Sequence, residues 1–359
     1  MGKMIKKFLR LFVKRLNILD EHEIRILGIP VLQYGSRILF DGTEEKFVRL
    51  FHKKLEHQFL DYILTLVPEK HDFIFLIRTN GSGEIYLLNF MLDEFIAKHK
   101  IKNPVFVSHR AIYGDMLAMF NDIPFYHDKN ISLQFWNAVL LRQTYRYRGK
   151  TFHVHHATLK VARNFLALAY APDFSGTYVD FVRKNTGVSK IVYHDPIISD
   201  DIMSSAKEKT AKQDINLDKF VFFVTDAQGT KMLPVNFWIA LSEQLQSSGY
   251  DVFVNTKDGI TKFGKSAALT ISEAYYIAGF ACAIVALRCG LAELLTTLHV
   301  PLHTLYTSYR VEEVSAEQCL KLLTLKAYPN VDTDNIFEYN TEIENLEIIA
   351  NKILGAIVK

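Results

Sequence analysis

The sequence has few cysteines and no long apolar run, and each absence argues against a class of protein. Its 359 residues include 3 cysteines, Cys282, Cys289 and Cys319, which lack the spacing of metal ligands. So few cysteines do not favour a disulfide framework, and a reducing compartment fits best. No apolar run reaches the roughly 18 residues that a membrane span needs. The N-terminus also lacks the features of a secretory signal, so we expect a cytoplasmic protein.

Neither positive nor negative charge predominates in the sequence. Lysine and arginine total 42 against 39 acidic residues, and the formal net charge of +3 is too small to indicate a nucleic-acid partner. Hydrophobic residues make up 49% of the chain and charged residues 23%, which is an ordinary globular balance. This length and composition predict two domains, each with its own apolar core.

The positive charge that does exist is concentrated at the start of the chain. No acidic residue precedes Asp20, and apolar residues recur at helical spacing in Ile5, Phe8, Leu9, Phe12 and Leu16. Residues 1–19 are therefore predicted to form a basic amphipathic helix. Such a helix either lies on the anionic inner face of the cell membrane or packs on its own domain with solvated lysines.

Two later stretches alternate strands and helices. They begin with the apolar runs 73–77 and 220–224, which have the length and character of buried parallel strands. The pattern predicts an α/β protein with an N-terminal domain over 20–205, a C-terminal domain over 206–339 and a C-terminal helix over 340–359. Before the first stretch, the sequence predicts a hairpin turning near Gly35 and a helix over 44–66.

Ligands of open parallel sheets bind beyond the carboxyl ends of the strands, so the loops there are candidate sites. The first loop, Asn80-Gly81-Ser82-Gly83-Glu84, has glycines that let the backbone either approach a ligand or turn sharply. Glu84 is either a general base beside a substrate hydroxyl or a carboxylate that only stabilises the helix dipole. The loop lacks the third glycine of a dinucleotide fingerprint and the lysine of a phosphate-binding P-loop.

Two loops of the second stretch carry cations. Thr230 and Lys231 follow the strand 220–224, where they either contact a phosphate or belong to a solvated loop. Arg288 and Gly290 precede a helix start whose free N–H groups favour an anion, and arginine can add a bidentate phosphate contact. Cys289 between them is interpreted as a small buried residue rather than a nucleophile.

Three histidines, His153, His155 and His156, lie close together in the sequence. No acidic residue or cysteine stands at ligand spacing from them, so no metal site is expected. His156 and His109 lie near predicted strand ends. There they are candidates to contact a substrate hydroxyl or phosphate.

The three loops together resemble the bacterial heptosyltransferase-like glycosyltransferases of the GT-B fold. In that family the first strand ends in an Arg-x-(Ser)-x-x-Gly-Asp loop, to which Ile77-Arg78-Thr79-Asn80-Gly81-Ser82-Gly83-Glu84 is similar. The second domain has a lysine before a proline and an amphipathic helix, as in Lys231-Met232-Leu233-Pro234. Capsule-type relatives carry Arg-Ser-Gly-Leu, and here Arg288-Cys289-Gly290-Leu291 has cysteine in place of serine.

The resemblance implies two Rossmann-like domains that face each other across a cleft. It assigns Glu84 as the catalytic base and implies an inverting transfer without metal or cofactor, from a nucleotide-sugar to a capsule, lipopolysaccharide or other saccharide or lipid-linked acceptor. The expected donor-binding residues are Thr230, Lys231, Arg288, Cys289, Gly290 and Leu291. The expected acceptor-binding residues are Asn80, Gly81, Ser82, Gly83, His109 and His156.

Two other functions fit the same fold. One is a non-catalytic module that binds a saccharide or a nucleotide. The other is a nucleotide-sugar epimerase, which needs no acceptor, so the products formed without an acceptor would separate it from a transferase.

Overall fold

A computed structural model shows the fold. The residues that it describes are 13–18, 21–26, 29–38, 44–50, 53–77, 82–129, 131, 144–154, 176–186, 188–189, 192–227, 229–256, 259, 261–310, 314–329 and 331–358.

Packing divides the chain into two compact units. One comprises Met1–Leu66 and Ile131–Leu141, and the other comprises Val67–Asn130 and Arg142–Lys359. The second unit contains both α/β stretches, so the predicted boundary near residue 205 separates two sheets inside one unit.

The first unit contains an antiparallel sheet in the order β1-β2-β3-β4, followed by helix α1. Gly35 lies within β3, so the turn predicted near it is wrong, although β2 and β3 do pair antiparallel. The helix predicted over 44–66 is a strand followed by a helix, because pairing with β3 outweighs local propensity in the first half. Part of the helix predicted over 1–19 is also a strand, and residues 1–12 lie outside the described residues. The elements are β1 (Val13–Ile18), β2 (Glu21–Ile26), β3 (Ile29–Ile38), β4 (Glu44–Leu50) and α1 (Lys53–Leu66).

The first sheet of the second unit has the order β7-β6-β5-β9-β8. Neighbouring strands are parallel except for the edge pair of β8 and β9, which is antiparallel. The central strand has the apolar sequence FIFLI and is almost fully buried, as expected for a strand covered on both faces. The strands are β5 (Phe73–Ile77), β6 (Pro104–Ser108), β7 (Phe125–His127), β8 (Thr144–Tyr147) and β9 (Lys150–Val154).

The second sheet has six parallel strands in the order β12-β11-β10-β13-β14-β15. Together the two sheets confirm the predicted α/β class. The sequence analysis predicted neither β12 nor β15, and β15 ends where the C-terminal helix was expected to begin. The strands are β10 (Phe220–Val224), β11 (Asp251–Asn255), β12 (Lys265–Ala267), β13 (Ala283–Leu287), β14 (Leu302–Tyr306) and β15 (Ile336–Asn340).

Helices cover both sheets of the second unit. The helices between or after the strands of the first sheet are α2 (Ser82–His99), α3 (Ile112–Ala118), α4 (Tyr178–Thr186) and α5 (Asp200–Ala211). Those associated with the second sheet are α6 (Val235–Ser247), α7 (Ile271–Ala278), α8 (Gly290–Leu295), α9 (Ala316–Leu323) and α10 (Leu346–Ile357).

One hydrophobic core runs through both sheets of this unit. Helix α2 has buried side chains on all its faces, which is typical of a helix enclosed by other elements. It packs on α8 of the second sheet, while α3 packs on α7. Through these helix pairs, the parts of the unit built on the two sheets are in direct contact. Tyr86 of α2 stacks on Tyr328 at a distance of 5.7 Å between ring centroids.

Candidate functional site

The candidate site lies where carboxyl ends of the two parallel sheets meet. Strand β10 lies between β11 and β13, so the loops after β10 and β13 leave the sheet at a point where the strand order reverses. That position is where open α/β sheets bind ligands. Helix α2, which begins just after β5, brings Glu84 to the same place because its start contacts the start of α8.

Glu84 lies in the first turn of α2 and is half-buried. The hydroxyl of Tyr178 donates a hydrogen bond of 3.4 Å to its Oε1 atom. Burial raises the pKa of Tyr178, and the Glu84 carboxylate raises it further. The same two causes raise the pKa of Tyr309. Glu84 therefore accepts a hydrogen bond from Tyr178 and lies close enough to Tyr309 to affect its pKa.

Two predicted glycines allow the helix starts to touch. A Cβ atom added at Gly290 would lie 2.0 Å from Oγ of Ser82 and 2.4 Å from the backbone N of Gly83. A Cβ atom added at Gly83 would lie 1.8 Å from Oε2 of Glu293. Real Cβ atoms do not approach other atoms so closely, so Gly290, which meets backbone atoms, requires glycine, whereas a side chain at Gly83 would displace the end of the Glu293 side chain. In this structure, the missing side chain of Gly290 lets the start of α2 approach, and that of Gly83 lets the Glu293 side chain approach.

Arg288 and Glu293 form a buried ion pair beside this contact. The distance from Nη1 of Arg288 to Oε1 of Glu293 is 2.5 Å, and the two side chains are 4% and 8% exposed. Arg288 also donates from Nε to the carbonyl of Leu323 at 2.8 Å. Burial acts to lower the pKa of Arg288, but the Glu293 charge raises it well above its ordinary value, so the guanidinium stays charged.

The pair does not use all its polar atoms. Within the part of the chain that the structure describes, Nη2 of Arg288 and Oε2 of Glu293 have no hydrogen-bond partner. A buried polar atom without a partner carries a desolvation cost that a ligand can remove. The buried pair therefore has one donor nitrogen and one acceptor oxygen that are not used among the described residues.

The loop after β10 is held by the loop after β14. The backbone N of Lys231 donates to the carbonyl of Ser308 at 2.8 Å, and Oγ1 of Thr307 donates to the carbonyl of Lys231 at 2.6 Å. Nε of Arg310 donates to the carbonyl of Thr230 at 2.7 Å. These bonds fix the backbone and leave the Lys231 side chain exposed. Among the described residues, no hydrogen-bond partner is found for the buried Oγ1 atom of Thr230.

Solved structures similar to this chain are glycosyltransferases, the group that the three loops resemble. The glycosyl transferase family 9 protein of Veillonella parvula DSM 2008 is 12% identical, with 82% of this chain and 92% of that chain covered and a TM-score of 0.48. The E. coli ADP-heptose lps heptosyltransferase II is 12% identical, with coverage of 80% and 98% and a TM-score of 0.49. The E. coli heptosyltransferase WaaC with ADP is 12% identical, with coverage of 79% and 98% and a TM-score of 0.43.

No family model and no curated protein matches the chain. At 12% identity and TM-scores below 0.5, a shared activity does not follow from these similarities. The assignment of function therefore rests on the residues of the site.

The structure brings some of the predicted site residues close together, and others lie outside the described residues. Glu84, Ser82 and Gly83 meet Gly290 and the Arg288 pair as stated above. His109 directly follows β6, next to Arg110, whose Nη1 donates to the Tyr113 hydroxyl at 3.1 Å. The remaining acceptor-side predictions lie outside the described residues: Asn80, Gly81 and His156.

Cys289 and Leu291 stand at the start of α8. Cys289 is the N-cap, but its side chain makes no capping hydrogen bond. Burial raises the pKa of its thiol, which disfavours the reactive thiolate, and the residue is partly exposed. Leu291 packs against the hydrophobic core.

The described residues show no group of three or more side chains able to hold a metal ion. His153 is buried, its Nδ1 lies 3.2 Å from Oγ1 of Thr144, and burial lowers its pKa to about 4. Among the described helices, none is both long and apolar enough to cross a membrane.

Sequence reasoning missed three residues of the site. Glu293 lies in the first turn of α8, where an acidic side chain is normally interpreted as a dipole contact. Tyr178 and Tyr309 come from distant parts of the chain, and no local pattern connects them to Glu84. A partial signal existed for Glu293 alone, because it shares a short helix with Gly290.

Proposed function

We propose that the protein is a glycosyltransferase that moves a sugar from a nucleotide-sugar to a saccharide acceptor of a cell-surface polysaccharide or lipopolysaccharide. The observation that carries the proposal is the approach of the helix start that bears Glu84 to the helix start beside Arg288, at the carboxyl ends of strands of two sheets. A carboxylate on one side and cations on the other suit a reaction that removes a proton and releases a diphosphate.

The donor diphosphate would bind to the second sheet. Lys231 is exposed and supplies a point charge, and the hydroxyl of Thr230 supplies a hydrogen bond. Arg288 supplies the planar donor group that suits phosphate oxygens. The backbone N–H groups of Gly290 and Leu291 would complete the site, with Cys289 packed beneath it. Because Ser82 now touches Gly290, the two helix starts must separate to admit the diphosphate.

The acceptor would bind to the first sheet, near Ser82, Gly83 and His109. We extend the acceptor site to Asn80, Gly81 and His156. Glu84 takes the proton of an acceptor hydroxyl while that oxygen attacks the anomeric carbon. The bond from this carbon to the diphosphate breaks on the opposite face, so the configuration inverts. The cations stabilise the charge that develops on the leaving diphosphate, and the scheme uses no metal.

The basic segment 1–19 would hold the enzyme at the inner face of the membrane, near a lipid-linked acceptor. Sedimentation of the chain with anionic and neutral vesicles tests this part separately. We expect binding to anionic vesicles that weakens when residues 1–19 are deleted. Equal sedimentation of the full and shortened chains would contradict it.

The enzyme proposal is tested with a panel of nucleotide-sugars, measuring sugar release or transfer. Substituting Gln for Glu84 should reduce turnover by roughly 10²–10⁴-fold, the usual contribution of a general base, with donor affinity retained. Glu94→Gln on the same helix is the matched control, because Glu94 bonds to Ser189 rather than to the site. Near-normal turnover of Glu84→Gln would disprove the assignment of the base.

The same assay separates the alternatives. Binding of nucleotides without turnover of any donor would indicate a non-catalytic module. Formation of an isomeric nucleotide-sugar without release of free sugar, in the absence of acceptor, would indicate an epimerase. Titration with ADP, UDP, GDP and CMP should show binding that weakens in Lys231→Ala, and no binding of any of them would reject the nucleotide site.

A further inference from the structure

Glu293 is a buried carboxylate that is only half satisfied. Its Oε1 atom pairs with Arg288 at 2.5 Å, but its Oε2 atom has no hydrogen-bond partner among the described residues. The side chain is 8% exposed, so water does not fully replace the missing partner. Burying a charge in this way is costly unless the arrangement serves another purpose.

The unpartnered oxygen points at the start of α2. Its position is known because a Cβ atom on Gly83 would lie 1.8 Å from it. Helix α2 has 18 residues, and its first turn carries the positive end of the helix dipole. Glu293 therefore places a negative charge between a helix start and a guanidinium, which is the environment that phosphate groups occupy in proteins.

We infer that Glu293 occupies the place of the donor diphosphate and is exchanged for it. In this inference, which rests on the proposed function, Glu293 is a positioning residue that holds Arg288 at the end of β13 while the site is empty. A diphosphate then replaces the carboxylate as the partner of Arg288, using the Nη2 atom that is now unpartnered. No covalent bond changes in this exchange.

A second place for the displaced carboxylate is available nearby. The hydroxyl of Tyr328 is buried and has no hydrogen-bond partner among the described residues. Burial raises the pKa of Tyr328, and the charge of Glu293 and a side-chain interaction with it raise the pKa further, so the hydroxyl already lies beside the Glu293 carboxylate. A neutral tyrosine hydroxyl is a suitable donor to a carboxylate that has lost its arginine.

The chain offers a matched control in Glu273 of α7. Glu273 is equally buried, with its side chain 5% exposed, and it also has a cationic partner, Lys209, at 2.7 Å. Unlike Glu293, it uses both oxygens: Ser205 donates to Oε1 at 2.6 Å and the backbone N of Thr270 donates to Oε2 at 2.7 Å. Substitution of Glu273 changes a buried charge without freeing Arg288.

The test is titration of the full chain with ADP, UDP, GDP and CMP for the wild type, Glu293→Gln and Glu273→Gln. Removing the competing charge should tighten nucleoside diphosphate binding by roughly three- to thirtyfold, the range expected for one charge contact. Glu273→Gln should bind as the wild type does. In the double variant Arg288→Gln with Glu293→Gln, the gain should disappear, because the diphosphate no longer finds its cation.

The outcomes separate this inference from the proposed function. If the wild type binds a diphosphate and Glu293→Gln binds no more tightly, the exchange is wrong while the nucleotide site stands. If neither binds any nucleotide, the nucleotide site itself fails and the inference fails with it.

Hydrogen exchange of the wild type provides a second measurement if Glu293→Gln does not fold. Diphosphate binding should slow exchange in residues 288–292 and accelerate it in residues 82–86, because Glu293 and α8 withdraw from the start of α2. Slower exchange in both segments would overturn the inference.

Discussion

Helices α7 and α8 follow one another in the chain, and each buries a glutamate close to its start, yet the two carboxylates differ in one respect. Glu273 accepts hydrogen bonds on both oxygens, from Lys209, Ser205 and the backbone of Thr270. Glu293 has a single cationic partner, Arg288, and one oxygen without a hydrogen bond among the described residues.

In our inference, the difference separates a structural charge, Glu273, from one that a ligand replaces, Glu293. A buried charge with a complete set of partners fixes the position of its neighbours and gains nothing from a ligand. A buried charge with an incomplete set costs stability, and a ligand that supplies the missing partner recovers that cost. Glu273 ties α5 to α7, whereas Glu293 lies between Gly83 and Arg288 at the candidate site.

The largest expected effect comes from removing the cation of each pair. Arg288→Met leaves Glu293 as an uncompensated buried charge, so the free energy of unfolding should fall by about 3–5 kcal/mol. Lys209→Met should cost only about 1 kcal/mol or less, because Lys209 is 38% exposed and Glu273 keeps its other hydrogen bonds. Urea denaturation at pH 7 measures both, and equal losses would remove the distinction.

The next effect concerns the approach of α8 to α2. In Gly290→Ala the new methyl group would overlap Ser82 and the backbone of Gly83, so the chain should lose about 1–3 kcal/mol of stability. Gly355→Ala in α10 is the control, because nothing lies within 4 Å of its added Cβ atom. That substitution should stabilise the chain by up to about 1 kcal/mol through helix propensity. A stable Gly290→Ala chain would show that the two helix starts do not touch in solution.

A smaller effect distinguishes the N-caps of the two helices. Thr270 forms a capping box with Glu273, so Thr270→Ala should reduce the free energy of unfolding by about 1 kcal/mol. The N-cap of α8, Cys289, makes no side-chain cap hydrogen bond, and Cys289→Ala should cost less. Thermal melting of both variants ranks the losses, and the reverse order would contradict the comparison.

The smallest expected effect is the acid dependence of stability. Burial raises the pKa of Glu273, but hydrogen bonds from Lys209, Ser205 and Thr270 outweigh it and leave the pKa below its ordinary value of 4.5. Its stabilisation is therefore complete above the unfolded value and is lost as the pH falls through the lowered folded value. The Glu273→Gln chain should lose stability less steeply below pH 4.5 than the wild type. Parallel curves from denaturation at several pH values would refute this.

Much of the candidate site was visible in the sequence, but its arrangement was not. The order of strand, glycine and charged residue identified Glu84, Lys231 and Arg288, because strand ends in parallel sheets carry ligand-binding loops. Gly83 and Gly290 were also identified, although for a different reason from the one the structure shows. The local sequence pattern predicts that the backbone at a glycine is approached closely by another group. Only the packed structure shows which atoms make that approach.

By itself the sequence determined the α/β class and the central buried strand of each sheet, because continuous apolar runs such as 73–77 and 220–224 are stable only when covered on both faces. Tertiary structure alone decided that 44–50 is a strand, that α2 is enclosed by both halves, and that Glu293 faces Gly83. These features depend on contacts between residues far apart in the chain. Hydrophobic periodicity records which residues are buried, but it contains no information on the element that buries them.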